Sequence, residues 1–467
     1  MLISLNLDAK KIITRSVITA ILSLGISGCA LNSILINYPS QISPIKAQLN
    51  NPKSEPLYRQ FDSKIAGADG LLYAQEAGRV AQILGDFQTS NQYYAQAVSA
   101  YQKFDDKALI SASDLGANAS SLLINDNVIP YRGPGYERIL VHQYQALNYL
   151  LSGDSQSALV EVRRSNELQA MEQARYEKSM QSVQSMANGA IDAEMDKLSA
   201  AAGSTTSSFL NAYSYYTTGL IYELLGQPND AFIDYRKAAQ ITPSNPYLQQ
   251  DLVRLAKRLS MPQYEEFKKR WGDAKLPSKT EGQVVVLLER GFVPEKQSFT
   301  VPFRIQGNWQ TASLATYLPT RASVPTGQIT GLGPQIKASP IANIDALAIT
   351  ALKEELPAAL VRQAARVYAK AEMAQSVRSD TKRQHDQFDA GALAIQLFNI
   401  VTEQADRRSW LTLPKQAQIA RQYVAAGRYG ITLDQGARQT IDVQQGKTTL
   451  IWIIDTGNYT RFYSIII

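Results

Sequence analysis

Residues 213–246 read YSYYTTGLIYELLGQPNDAFIDYRKAAQITPSNP, and this stretch decides the fold of the first half of the chain. Tyr215, Thr218, Gly219 and Tyr222 recur at three- and four-residue spacing, which places them on one helix face. Gly226 then interrupts the pattern, and Ala231, Tyr235 and Ala238 restart it before Pro243 ends it. The reading is a helical hairpin. Gly219 and Ala231 let the two helices approach, the tyrosines fill the space between them, and Pro243 stops the second helix.

Working outward, a looser unit of the same kind includes Gly78, Gly85-Asp86-Phe87, Ser90, Tyr94 and Ala97, and another includes Ala146, Tyr149, Gly153-Asp154 and Ala158. The interval from Gly85 to Gly153 equals two periods of a 34-residue repeat. The spacings over Tyr213 to Pro246 resemble the tetratricopeptide repeat family, and the other two units resemble it loosely. That resemblance implies a stack of helical hairpins with a groove that holds a peptide or a partner helix. Exposed neighbours on the first helix of the best unit, Asn211, Ser214 and Thr217, are the expected contact residues. An all-helical domain whose small residues serve packing alone is the competing reading.

The helical texture runs from about residue 56 to 273 and then changes. Gly282 to Leu288 (GQVVVLL) is the pattern of a strand buried on both faces, and Phe299, Val301, Phe303 and Ile305 alternate as in a half-buried strand, with Pro302 pointing to a sheet edge. A second strand-rich block runs from Tyr429 to Ile467, and a helical segment, about 341–401, lies between the two. The expected class is α+β: a helical repeat domain over 56–273, then a β-rich domain over 281–467 with a helical insertion whose flanking strands pair with each other.

The first residues carry an address. Lys10, Lys11 and Arg15 precede an apolar run, Val17 to Ile26, that is too short to span a bilayer as a stable helix. It ends in Ile26-Ser27-Gly28-Cys29, which resembles the lipobox of bacterial lipoproteins. The resemblance implies cleavage after Gly28, acylation of the Cys29 thiol and acylation of the new amino terminus, enough lipid for stable attachment to a bilayer. Cys29 is the sole cysteine, so no disulfide within the chain is possible. Residues 1–28 are therefore expected to be a signal peptide and 29–55, with scattered Pro, Asn and Ser, a tether. Ala30 follows the cysteine in place of the Asp that retains many such proteins at the inner membrane, so the expected location is the periplasmic face of an outer membrane.

Two further segments stand out. Tyr131-Arg-Gly-Pro-Gly-Tyr136-Glu137 places a tight turn at Gly133, Pro134 and Gly135 ahead of a helix whose first amides could accept an anion, although such a turn also simply joins helices. Thr402-Glu403-Gln404-Ala405-Asp406-Arg407-Arg408-Ser409-Trp410, followed by Leu413-Pro414, brings Glu403, Asp406 and Arg407 within helical reach, while Arg408 and Trp410 can pair or stack across a domain joint. Two carboxylates near an aromatic also fit glycan acid–base chemistry. Both segments resemble ones found in uncharacterised bacterial lipoproteins with repeat-like first halves and strand-rich second halves, a resemblance that implies architecture and localisation and no activity.

Other chemistry is thin. His142 and His385 are the two histidines and have no repeated carboxylate spacing, so zinc and a serine triad are not expected. His142 reads as packing on a repeat helix. Gly331-Leu332-Gly333 lacks the rest of a dinucleotide fingerprint. Arg362, Arg366 and Lys370 form a stripe that reads as a solvated face. The formal charge of +6 is mild and contains no compact basic run, which argues against nucleic acid. The expected function is a non-enzymatic envelope scaffold with a protein or peptide partner and no cofactor. The alternative is binding or cleavage of peptidoglycan or another glycan by the β-rich domain.

Overall fold

The computed structural model describes residues 37–51, 55–110, 127, 129–183, 189–305, 308–318, 323–357, 359, 362–363, 366 and 404–467. The lipobox residues Ile26, Ser27, Gly28 and Cys29, together with Lys370, His385 and Glu403, lie outside this set. The architecture is α+β, with helices through the first half and sheets in the second. No helix among the described residues is long and apolar enough to cross a membrane.

The longer helices ahead of the strands are α1 (Tyr38–Leu49), α2 (Gly70–Ile83), α3 (Phe87–Ile110), α4 (Gly135–Leu151), α5 (Ser155–Val183), α6 (Gly189–Ala202), α7 (Ala212–Leu224), α8 (Pro228–Ile241), α9 (Pro246–Arg258) and α10 (Tyr264–Trp271). Four hairpins form, α2 with α3, α4 with α5, α7 with α8, and α9 with α10. Each is closed by the same turn. Gly85, Gly153 and Gly226 take φ of 84°, 81° and 77°, and the amide after each bonds to the carbonyl five residues before it, as in Asp86 to Ala81, Asp154 to Tyr149 and Gln227 to Tyr222. Ser260 makes the fourth such turn at φ 51°, with Met261 bonding back to Ala256. Within the hairpins, Gly78 lies under the Tyr94 ring and Gly219 under the Tyr235 ring, so a β-carbon at either position would collide.

The region expected to be a tether differs. Residues 38–49 form α1, whose Tyr38, Ile42, Ile45 and Leu49 are buried along one face. Prolines masked this stripe. Pro39 sits in the first turn, where its missing N–H costs nothing, and Pro44 gives up one interior bond, which the buried apolar face offsets. Asn37 caps the helix by accepting the Ser40 amide at 3.2 Å.

The strands are β1 (Glu281–Arg290), β2 (Gln297–Ile305), β3 (Asn308–Thr316), β4 (Gln328–Thr330), β5 (Ile336–Lys337), β6 (Ser339–Asn343), β7 (Gln416–Ala425), β8 (Gly427–Leu433), β9 (Arg438–Val443), β10 (Thr448–Asp455) and β11 (Thr460–Ile466). A five-stranded sheet has the order β11-β10-β1-β7-β6, and a four-stranded sheet the order β5-β4-β8-β9. Strand β1 pairs with β10 in parallel and with β7 antiparallel, so strands from both sides of the intervening helical segment share one sheet. That segment begins as a helix over 344–357. Strands β2 and β3 pair with each other as a two-stranded ribbon, so β2, in which Pro302 lies opposite Thr311, is an edge strand.

The five-stranded sheet is the middle layer. Val285, Leu287, Leu450, Trp452, Ile454 and Ile419 belong to the core shared with the helices. Their neighbours in the pleat, Val284, Val286, Leu288, Ala420, Ile451 and Ile453, pack against Ile329, Ile431, Leu433, Ile441 and Val443 of the four-stranded sheet. This explains the unbroken apolar run of β1, since both faces are covered. The helical and strand-rich halves are thus joined through one continuous core rather than standing as separate globules.

Candidate functional site

The first helix of every hairpin contacts the five-stranded sheet, and the contacts are polar as well as apolar. From α2, the Arg79 guanidinium is ion-paired with Glu289 of β1, both fully buried. It also lies 4.5 Å from the Tyr144 ring centroid of α4 and 5.6 Å from that of Trp452 of β10. The Tyr213 hydroxyl of α7 donates to the other Glu289 oxygen at 2.8 Å. From α9, Asp251 pairs with Arg421 of β7, which also reaches Glu223 of α7 at 3.2 Å. Arg421 and Arg254 outweigh the desolvation of Glu223 and hold its carboxyl down to about 2.

This packing corrects the expected groove contacts. Asn211, Ser214 and Thr217 are fully buried. Asn211 caps α7 by accepting the amides of Tyr213 and Ser214 at 3.0 and 3.2 Å. The Ser214 and Ser165 hydroxyls are 3.2 Å apart, and Gln143 donates to Thr217 Oγ1 at 3.3 Å. The polarity of Ser214 and Thr217 serves neighbouring helices and that of Asn211 its own, because α7 is covered by α4, α5 and α8 and by the sheet.

The two segments singled out in the sequence meet in a single buried joint. Gly133 takes φ 66° at a point where an added β-carbon would stand 2.5 Å from the Tyr101 hydroxyl. The turn returns the chain so that Tyr131 donates to the Glu137 carboxylate at 2.9 Å. Glu137, on the first turn of α4, also accepts the backbone amide of Trp410 at 3.0 Å. The amino end of α4 meets the protein's own anion, because the Glu172 carboxylate occupies the space that a side chain on Gly135 would need. Trp410 is fully buried and edge-on to Tyr94 and Tyr144, with centroids 5.9 and 6.0 Å away.

One turn of chain further, Glu76 of α2 accepts the amides of Leu411 and Thr412 at 2.7 and 3.2 Å, the Thr412 hydroxyl at 2.5 Å and the Tyr38 hydroxyl at 2.9 Å. Burial pushes the carboxyls of Glu76 and Glu137 up to about 7, against the opposing pull of these hydrogen bonds. Arg408, 4% exposed, is ion-paired with Asp69 and, at 2.7 Å, with Asp406, and donates to the Ile129 carbonyl at 2.9 Å. Burial raises the Asp69 carboxyl despite Arg408, whereas at Asp406 the guanidinium overcomes desolvation and holds the carboxyl at about 2.

Beside this joint lies a cavity of about 300 Å³ between the amino end of α1, the β2–β3 ribbon and residues 404–408. Its wall includes Asn37, Tyr38, Asp69, Ser298, Gln404 and Arg407. The expectation of a solvated stripe near Arg366 is corrected, since Arg366 is 2% exposed. Its neighbour Gln363 is buried too and donates to the Ser313 carbonyl of β3 at 3.2 Å, so this face turns toward the ribbon. His142 is buried with Nδ1 2.6 Å from Glu161, in keeping with a packing position. Among the described residues no cluster of His, Cys, Asp or Glu could hold a metal ion.

Asp69, Glu76, Arg79 and Glu289 are the joint residues that sequence reasoning missed. One signal was present: Glu76 and Arg79 are the only charged residues in α2, GLLYAQEAGRVAQI, at a spacing that puts both on one face. Comparison with family models, curated proteins and solved structures finds no match.

Proposed function

We propose that the chain is an envelope lipoprotein, anchored by lipid on Cys29 and acting as a non-enzymatic docking scaffold for a protein or peptide. The observation that carries this reading is the run Ile26-Ser27-Gly28-Cys29 behind a basic and apolar leader. Ala30 favours delivery to the periplasmic face of an outer membrane in a cell with two membranes.

The non-catalytic half of the reading is supported by how the buried carboxylates are used. The oxygens of Glu76 and Glu137 are engaged by backbone amides and by Tyr38, Thr412 and Tyr131, and both side chains are fully buried. A general acid needs an open path to its substrate. The docking surface itself belongs on faces other than the sheet-covered side of α2, α4, α7 and α9.

The test is metabolic labelling with a fatty acid together with crosslinking in the cell. Wild type should take up label and crosslink to a discrete envelope protein, and Cys29→Ser should lose label and accumulate as precursor. A processed Cys29→Ser chain still held on the membrane would overturn the anchor. Glycan-cleaving activity lost in Glu76→Gln or Asp406→Asn, without loss of folding, would overturn the scaffold.

A further inference from the structure

We infer that the cavity beside Arg407 binds a hydroxyl-rich ligand bearing a single carboxylate, a sugar acid. Its volume of about 300 Å³ lies at the small end of ligand pockets and suits one or two sugar rings. The lining is more polar than apolar, with amide, hydroxyl, carboxylate and guanidinium groups from Asn37, Gln404, Ser298, Asp69 and Arg407 beside the Tyr38 ring and Ala405. Such a wall pairs with alternating donors and acceptors, as sugar hydroxyls provide.

The charge in the cavity selects the anion. Arg408 is consumed by Asp69 and Asp406. Arg407 is different: its Nε donates to the Lys296 carbonyl at 2.6 Å, and no carboxylate among the described residues pairs with its guanidinium. That bond fixes the guanidinium and leaves its two terminal nitrogens as a planar fork, the geometry that holds a carboxylate through two parallel hydrogen bonds. Among the described residues one guanidinium is left uncompensated beside Asp69, which fits a monoanion better than a dianion such as phosphate.

The wall is also held in place. The Tyr38 hydroxyl is fixed on Glu76 at 2.9 Å, and Arg408 is fixed by two carboxylates and the Ile129 carbonyl. A ligand therefore orders little that is not ordered already, which favours binding.

The test uses the full chain in detergent and saturation-transfer nuclear magnetic resonance, with glucuronate, glucose and acetate as probes. Glucuronate should bind at least tenfold more tightly than either glucose, which lacks the carboxylate, or acetate, which lacks the ring. Arg407→Ala should weaken glucuronate at least tenfold and Arg407→Lys should restore part of it. Ser298→Trp, at an exposed position on the cavity mouth, should block binding with the circular dichroism unchanged. Equal binding of glucose and glucuronate, equal binding of acetate, or no binding of glucuronate by wild type would each overturn the inference, whatever the variants do. Unaltered glucuronate binding by Arg407→Ala would do the same.

Discussion

The carboxylate of Glu76 accepts the backbone amide of Leu411 at 2.7 Å across a sequence separation of 335 residues. Glu137 does the same for Trp410 across 273. Two glutamates from consecutive hairpins thereby hold successive amides of one strand-bound segment, and both are poised to change charge near neutrality.

The first expected outcome is a stability that falls as the solution is made basic. Because the folded-state values of Glu76 and Glu137 are raised from 4.5 to about 7, the folded chain binds more protons than the unfolded chain between those limits. Their contribution is therefore complete below about pH 4.5 and lost as pH rises through 7, by up to about 3 kcal/mol for each group. The depressed carboxyls of Asp406 and Glu223 act in the opposite sense and lose their contribution as pH falls toward 2. Urea unfolding should show greatest stability near pH 4.5, and Glu76→Gln with Glu137→Gln should flatten the decline between about pH 4.5 and 7.5. A wild-type chain that gains stability over that interval would refute the assignment.

Arg79 and Glu289 should show the asymmetry of a buried ion pair. Arg79→Met leaves the Glu289 carboxylate with the Tyr213 hydroxyl as a weak substitute for the guanidinium, and should cost about 3–5 kcal/mol. Replacing both residues by methionine should recover most of that loss, because no uncompensated charge remains. A double-mutant cycle in urea measures it, and a single-variant cost below about 1 kcal/mol would contradict the burial described.

Residues 56–273 in isolation should not fold cooperatively. Without the sheet, Arg79, Glu76, Glu137 and Asp251 lose partners and the apolar face shared with Trp452 and Leu287 opens to water. Far-ultraviolet circular dichroism should still report helix, with a broad melt and dye binding typical of loose packing. Addition of residues 281–467 should sharpen the melt. A sharp transition in the helical fragment alone would show that the shared core is dispensable.

Ser260→Gly should stabilise the protein by about 0.5–1 kcal/mol. Ser260 closes the α9–α10 turn at φ 51°, where the other three hairpins carry glycine. The urea midpoint should rise with an unchanged slope; a fall would mean that the Ser260 side chain contributes more than its backbone costs.

Three of the four hairpins were legible in the sequence because their marks are local: a positive-φ glycine, an aspartate after it in two cases, and a small residue under a tyrosine; the fourth, closed by Ser260, carries no such glycine and was not legible. Strand β1 was legible because cover on both faces leaves an unbroken apolar run. The Tyr131–Glu137 and Asp406–Trp410 segments were legible as unusual, and the structure joins them. Their partners were hidden for a physical reason. Asp69 meets Arg408 across 339 residues and Arg79 meets Glu289 across 210, so no spacing rule links them. Asn211, Ser214 and Thr217 misled because small polar residues suggest exposure, while each bonds to a neighbouring helix or caps its own.

The parallel pairing of β1 with β10 sets an order of events during synthesis. Gln283 waits for Thr448, 165 residues later in the chain, before its strand gains a neighbour on that side. Until then β1 has an unpaired apolar edge, and the helices that precede it lack half of their cover. Contacts of such long range make folding slow, so a chain emerging amino end first remains adhesive until nearly all of residues 281–455 have followed. A holding chaperone acting on the unfinished chain is the agent such a topology calls for, and its absence should appear first as aggregation of nascent chains rather than as a change in the finished fold.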